Sequence, residues 1–107
     1  MLRSRIELPI TILCVDRGYV PDWIEFSLLD ADGIAHSFYE KEPVVGCGID
    51  GPFPRTGSLA GELLGTWTDD LGRVLARVTT AKPWLVESKS GETEFVVELP
   101  SEIRKAI

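Results

Sequence analysis

Residues 23–42 read WIEFSLLDADGIAHSFYEKE, and their alternation of apolar and polar side chains predicts a β-hairpin. A period of two residues is the spacing of a strand with one buried face. The predicted inward side chains are Ile24, Phe26 and Leu28 on the first arm and Ile34, His36 and Phe38 on the second. Between the arms, the sequence DADG predicts a tight turn, because Gly33 can take a positive φ at no steric cost.

The same alternation extends outward from this hairpin along most of the chain. A long first strand has a predicted inward face made of Ile6, Leu8, Ile10, Ile12 and Cys14. Residues 57–69, GSLAGELLGTWTD, place glycines at inward positions 61 and 65, which predicts a bent strand or the close approach of another backbone. The turn DDLG, the strand RVLARVTT, and the strands PWLVES and TEFVVELP joined by KSGE complete the pattern.

Six or seven antiparallel strands with tight turns predict one all-β domain over residues 1–107, a small barrel or rolled sandwich. Bent strands that contain glycine favour the barrel. The final PSEIRKAI predicts a short C-terminal helix, because Ser101 can cap it and Ile103 and Ile107 have helical spacing. The outward positions of Leu13, Leu64, Leu75 and Val96 predict that the tail or a second chain covers part of the outer face.

The composition limits the classes of partner. A net charge of −6 gives the molecule a field that repels nucleic acid and anionic membranes and attracts a basic protein. The amino terminus is interrupted by Glu7 and Pro9 and does not read as a signal peptide, and no apolar run has the length of a membrane span. Cys14 and Cys47 match neither a disulfide scaffold nor a metal knuckle, so reduced thiols and a cytoplasmic location are expected.

Residues 23–45 also resemble a family of small uncharacterised bacterial proteins. In these, a strand and a D-A-x-G turn precede an H-x-F-x-E-K-x-P-V segment, and the terminal GETEFVVELP is a weaker match. The matching residues here are Asp30, Ala31, Gly33, His36, Phe38, Glu40, Lys41, Pro43 and Val44. The resemblance implies a compact bacterial domain and, since no activity is known for the family, no catalytic residue.

Three patterns in the sequence could carry chemistry, and each also has a simpler structural interpretation. His36 and Cys47 could form a thiol–imidazole dyad, but no helix N-terminus or positive charge activates the thiol, and a hydrogen-bonded strand histidine is the preferred interpretation. DADG lacks the glutamate that completes a calcium loop, because Lys41 stands at its twelfth position. GCGIDG lacks the following helix of a phosphate loop. We therefore expect no metal and no cofactor.

Residues 44–56, VVGCGIDGPFPRT, form a long segment without any period, and such loops often have a function. Phe53, held between two prolines, would lose little freedom on binding, and Asp50 and Arg55 offer polar contacts. His36 and Cys47 complete the predicted binding residues. The alternative is a crossover in which Phe53 closes one end of the barrel.

These patterns predict a non-enzymatic module that binds a protein, or a second copy of itself, through residues 46–57. One alternative is a small-ligand barrel with an open mouth lined by Trp67, Trp84 or Trp23. Another is an immunity or adaptor protein for a basic partner. A thiol enzyme is the least favoured alternative.

Overall fold

The structure, a computed structural model, describes residues 4–18, 20–42 and 52–99. It confirms an all-β fold, in which the described residues form one antiparallel sheet of six strands. The strands are β1 (Ser4–Asp16), β2 (Trp23–Leu29), β3 (Ala35–Lys41), β4 (Arg55–Thr68), β5 (Val74–Thr79) and β6 (Glu94–Glu98). Their order in the sheet is β3-β2-β1-β4-β5-β6.

The two long strands cause the sheet to curl into a half-barrel. Residues 4–12 of β1 pair with β4, and residues 11–16 pair with β2. In the same way, residues 55–63 of β4 pair with β1, and residues 62–68 pair with β5. Because each long strand changes partner half-way, the register steps along the sheet, and such a stagger is what rolls a sheet toward a barrel.

The core fills the inside of this curl. Phe26 and Phe38 stack with ring centroids 5.0 Å apart, and Phe38 also lies 5.8 Å from Phe95 of β6. Strands β3 and β6 are the two ends of the strand order, so the second contact connects the two edges of the sheet. The other members of this core cluster are Ile6, Leu8, Ile10, Ile12, Ile24, Leu28, Leu59, Ala76, Val78, Val86, Val97 and Leu99.

Three tight turns, at residues 30–33, 69–72 and 88–91, share one hydrogen-bond pattern. In each, the glycine amide donates to the carbonyl oxygen of the first turn residue, and that residue's side chain accepts bonds from the amides two and four positions on. Gly33, Gly72 and Gly91 all have a φ of 82°. The prediction that Gly33 allows the DADG turn by taking a positive φ is therefore confirmed. The glycines of the other two turns have the same conformation.

The predicted burial of Cys14 is wrong. The register of β1 against β2 shifts between Ile12 and Cys14, and this bulge reverses which side chains face inward. Ile12 is fully buried, Cys14 is exposed, and Val15 packs against the core instead. A period of two cannot detect the extra residue.

The predicted side-chain directions of Trp67 and Leu75 are also wrong, and so is one predicted strand. Trp67 is 44% exposed, because β4 shifts register between Leu63 and Gly65, whereas Leu75, predicted to face outward, is buried. PWLVES forms turns and irregular backbone, and not a strand. The predicted C-terminal helix lies outside the described residues.

Candidate functional site

The structure describes three of the five predicted binding residues, His36, Phe53 and Arg55. Cys47 and Asp50 lie outside the described residues, so the dyad of Cys47 with His36 stays a hypothesis. The three described residues have different surroundings. His36 belongs to β3, Phe53 precedes β4, and Arg55 begins β4 opposite Ile12 of β1.

His36 lies between two carboxylates. Its Nε2 is 2.7 Å from Oδ2 of Asp30 in the β2–β3 turn, and its Nδ1 is 3.5 Å from Oε1 of Glu92, just before β6. Phe95 meets the imidazole edge-on, with ring centroids 5.0 Å apart. The side chain is mostly shielded from solvent, as expected for a hydrogen-bonded histidine of a strand.

Asp30 is held in its charged form by this arrangement. Desolvation acts to raise the pKa of Asp30, but the hydrogen bonds from His36 and from the amides of Ile34 and Asp32 outweigh it and leave the pKa below its ordinary value. Asp30 thus fixes both the turn and the histidine ring, which is a structural role.

Phe53 is partly buried and packs against the core, while Arg55 is exposed. This packing is what the closure alternative for Phe53 requires. A half-buried ring still leaves an edge for contact, so the role of Phe53 in binding stays a hypothesis.

A second loop, which the sequence did not single out, has the features expected of a contact surface. Residues 80–86 join β5 to the hairpin before β6 and are closed at their base by Thr80, which is fully buried. The Thr80 amide donates to the carbonyl of Thr93, and its Oγ1 donates to the carbonyl of Val86 at 2.6 Å. The Val86 amide returns a bond to the Thr80 carbonyl at 2.9 Å. The loop is therefore held from inside the core.

At the tip of this loop two large apolar side chains face solvent. Trp84 is 54% exposed and Leu85 is 67% exposed. Leu85 has a φ of 53°, a left-handed conformation that is uncommon for a residue with a branched side chain, and its amide bonds the Ala81 carbonyl at 3.0 Å. Backbone outliers of this kind persist only where the surroundings impose them, and they concentrate at functional sites. The alternation in PWLVES concealed this loop, because a turn can mimic a short strand pattern.

A groove of about 470 Å³ lies beside the β2–β3 turn. Its lining residues are Pro9, Ile10, Thr11, Ser27, Leu29, Asp30, Ala31, Gly33, Thr56 and Glu98. None of the three tryptophans predicted to line a ligand mouth is among them. Within the described residues there is no group of three or more potential metal ligands and no helix long and apolar enough to cross a membrane.

A scan against protein-family models and searches of curated proteins and of solved structures found no match to the chain. The resemblance to the small bacterial family therefore stays a hypothesis.

Proposed function

We propose that this chain is a non-enzymatic module that binds another protein, and that Trp84 and Leu85 are its principal contact residues. The observation that supports this is the pairing of two exposed apolar side chains with a loop anchored by a buried threonine. Tryptophan is among the residue types most often found to dominate binding energy at protein interfaces. A surface tryptophan beside an exposed leucine is costly to leave in water, and a partner would remove that cost.

The fixed conformation of the loop favours recognition over chance exposure. The bonds of Thr80 and Leu85 define the backbone before any partner arrives. A preformed loop loses little conformational entropy on binding, so more of the contact energy appears as affinity. In this proposal, Asp50 and Arg55 of the 46–57 segment add polar contacts with the partner.

The charge of the molecule favours a basic partner. The chain has a net charge of −6, and residues 80–94 carry three exposed glutamates, Glu87, Glu92 and Glu94, against two exposed lysines, Lys82 and Lys89. Opposite charge around an apolar centre steers association and sets orientation. An adaptor or an immunity protein for a basic target fits this arrangement, and a cytoplasmic location is part of the same proposal.

Photo-crosslinking tests the proposal in cells that naturally make the protein. Benzoylphenylalanine is placed at position 84 and, as the matched control, at position 67, where another exposed tryptophan lies on β4. We expect a discrete protein adduct from position 84 alone, and added purified wild-type protein should suppress it in lysate. An adduct of twice the chain's mass identifies a second copy as the partner. Equal products from both positions, or none, would exclude this surface.

Substitution then gives the magnitude with the partner so identified. We expect Trp84→Ala to weaken binding by at least about tenfold, since hot-spot tryptophans contribute about 2 kcal/mol or more. Trp67→Ala should change binding by less than about twofold. Calorimetric titration measures both affinities, and melting curves of the free variants show whether either substitution disturbs the fold.

A further inference from the structure

The two edges of the half-barrel are joined by a small set of contacts, here called the closing seam, between residues 30–40 and residues 86–96. Two backbone hydrogen bonds between described residues cross it, from the Ala31 amide to the Val96 carbonyl and from the Lys89 amide to the Ser37 carbonyl, each 2.8 Å long. Elsewhere in the sheet neighbouring strands are joined by ladders of at least five paired residues. Because so few backbone hydrogen bonds cross the seam, side-chain contacts there contribute a large share of what holds the two edges together.

His36 is the side chain best placed to do so. It belongs to one edge and reaches Asp30 on its own side and Glu92 on the other. A protonated imidazole presents N–H groups to both carboxylates, whereas a neutral one has a single N–H. The 2.7 Å bond to Asp30 keeps that N–H on Nε2, which leaves the lone pair of Nδ1 facing the carboxylate of Glu92. Loss of one proton thus converts the cross-seam contact from attraction to repulsion.

The other charged groups at the seam support the same direction. Burial raises the pKa of Glu40 and the charge of Glu87 across the seam adds to the rise, although the amide and the charge of Lys41 act against it. Acidification therefore removes a repulsion between Glu40 and Glu87. Asp30, whose pKa is lowered, keeps its charge when His36 loses its proton. Lys89 also forms an ion pair with Glu25, with 3.3 Å between Nζ and Oε1.

We propose that the closing seam is a proton-operated latch, in which protonated His36 holds the hairpin of residues 86–92 against β3 and its deprotonation releases that hairpin. Release is confined to the seam, because among the described residues no contact elsewhere in the sheet involves a histidine placed between two carboxylates.

Hydrogen exchange measured by NMR tests the latch on the intact chain. His36 is the only histidine, so its ring proton signals report its titration directly. The protection factor of the Lys89 amide, corrected for the intrinsic exchange rate at each pH, should fall about three- to fivefold as His36 loses its proton, the effect of a partly exposed ion pair. The Gly72 amide, in the equivalent turn without a histidine, is the internal control.

Two matched variants complete the test. Glu92→Gln removes the charge across the seam and should flatten the pH dependence of Lys89 protection, while Glu94→Gln, an equal change two residues away, should preserve it. Lys89 protection that is constant through the His36 titration, or that changes in parallel with Gly72, would overturn the latch. The wild-type measurement decides the question even if a variant folds poorly.

Discussion

At the scale of single residues, the fold depends on a glycine where β4 changes partner. An added Cβ at Gly61 would lie 2.8 Å from the carbonyl oxygen of Thr79 and 3.3 Å from Cδ1 of Leu8. The inward glycines predicted either a bent strand or a close backbone approach, and Gly61 shows the close approach. Gly65 does not, because the bulge before it turns the residue to open space.

These two glycines give a matched pair for a stability measurement. Gly61→Ala forces a backbone oxygen to move, and we expect it to lower the free energy of unfolding by about 1 to 3 kcal/mol. A domain of this size loses about 4 to 8 °C of Tm per kcal/mol, so the change is visible by calorimetry. Gly65→Ala has no neighbour within 4 Å and should leave Tm unchanged or slightly raised. Equal melting temperatures for the two variants would contradict the close approach.

At the scale of elements, the turns were predictable because their chemistry is local. An aspartate or serine followed three positions later by glycine fixes each turn through side-chain bonds to nearby amides. The bulges and the 80–86 loop were not predictable, since the bulges depend on pairing between strands and the loop depends on bonds between residues 6 to 13 positions apart. Thr80, for example, is held by hydrogen bonds to Thr93 and Val86, and the alternation of apolar and polar residues in the sequence does not reveal either bond.

The β4–β5 turn predicts a particular response to acid. Desolvation acts to raise the pKa of Asp69, but bonds from the Arg73 amide, the Arg73 side chain and the Leu71 amide outweigh it and lower the pKa below 3.8. A lowered folded-state pKa gives stability that is present above about pH 4 and is lost as the pH falls through the folded value.

We expect Asp69→Asn to lower the urea midpoint at pH 7 and to show a smaller further loss than wild type between pH 4 and pH 2.5. Asp70→Asn removes the same charge from the exposed neighbouring residue and should leave both quantities close to wild type. If wild type and Asp69→Asn lose the same stability on acidification, protonation of Asp69 does not change the stability of the fold.

The anchor of the 80–86 loop gives a second prediction for an element. Thr80→Val keeps the shape of the side chain but removes the donor that bonds the Val86 carbonyl in a fully buried site. An unsatisfied buried group costs about 1 to 3 kcal/mol, and we expect unfolding stability to fall by that amount. Thr66→Val, on an exposed position of β4, is the control. Near-uv circular dichroism of the tryptophans would show whether the loop also loses its fixed conformation; an unchanged spectrum and stability would exclude the anchor.

At the scale of the whole molecule, the sequence indicated an all-β fold and a curl but could not order the strands. The inward faces of β2 and of β1 as far as Ile12 were predicted from alternation, because one side of each meets the core. The central place of β1, between β2 and β4, follows from staggered pairing between segments far apart in sequence. The contact of Phe38 with Phe95, which brings the edges together, is likewise a result of the assembled curl.

Phe53 connects this assembly to the question of function. Its ring is half-buried against the core, so truncation should remove part of the packing that a fully buried phenylalanine provides. A fully buried ring costs about 3 to 5 kcal/mol on change to alanine, and about 2 kcal/mol is expected here, or roughly 8 to 16 °C of Tm. Phe53→Leu, which keeps most of the apolar volume, should lose much less. Calorimetry of the free protein measures both without any partner. If Phe53→Ala melts like wild type, the ring contributes nothing to the core, and Phe53 becomes a candidate contact residue in addition to Trp84. If it melts far lower, recognition rests on the 80–86 loop and on the polar residues Asp50 and Arg55.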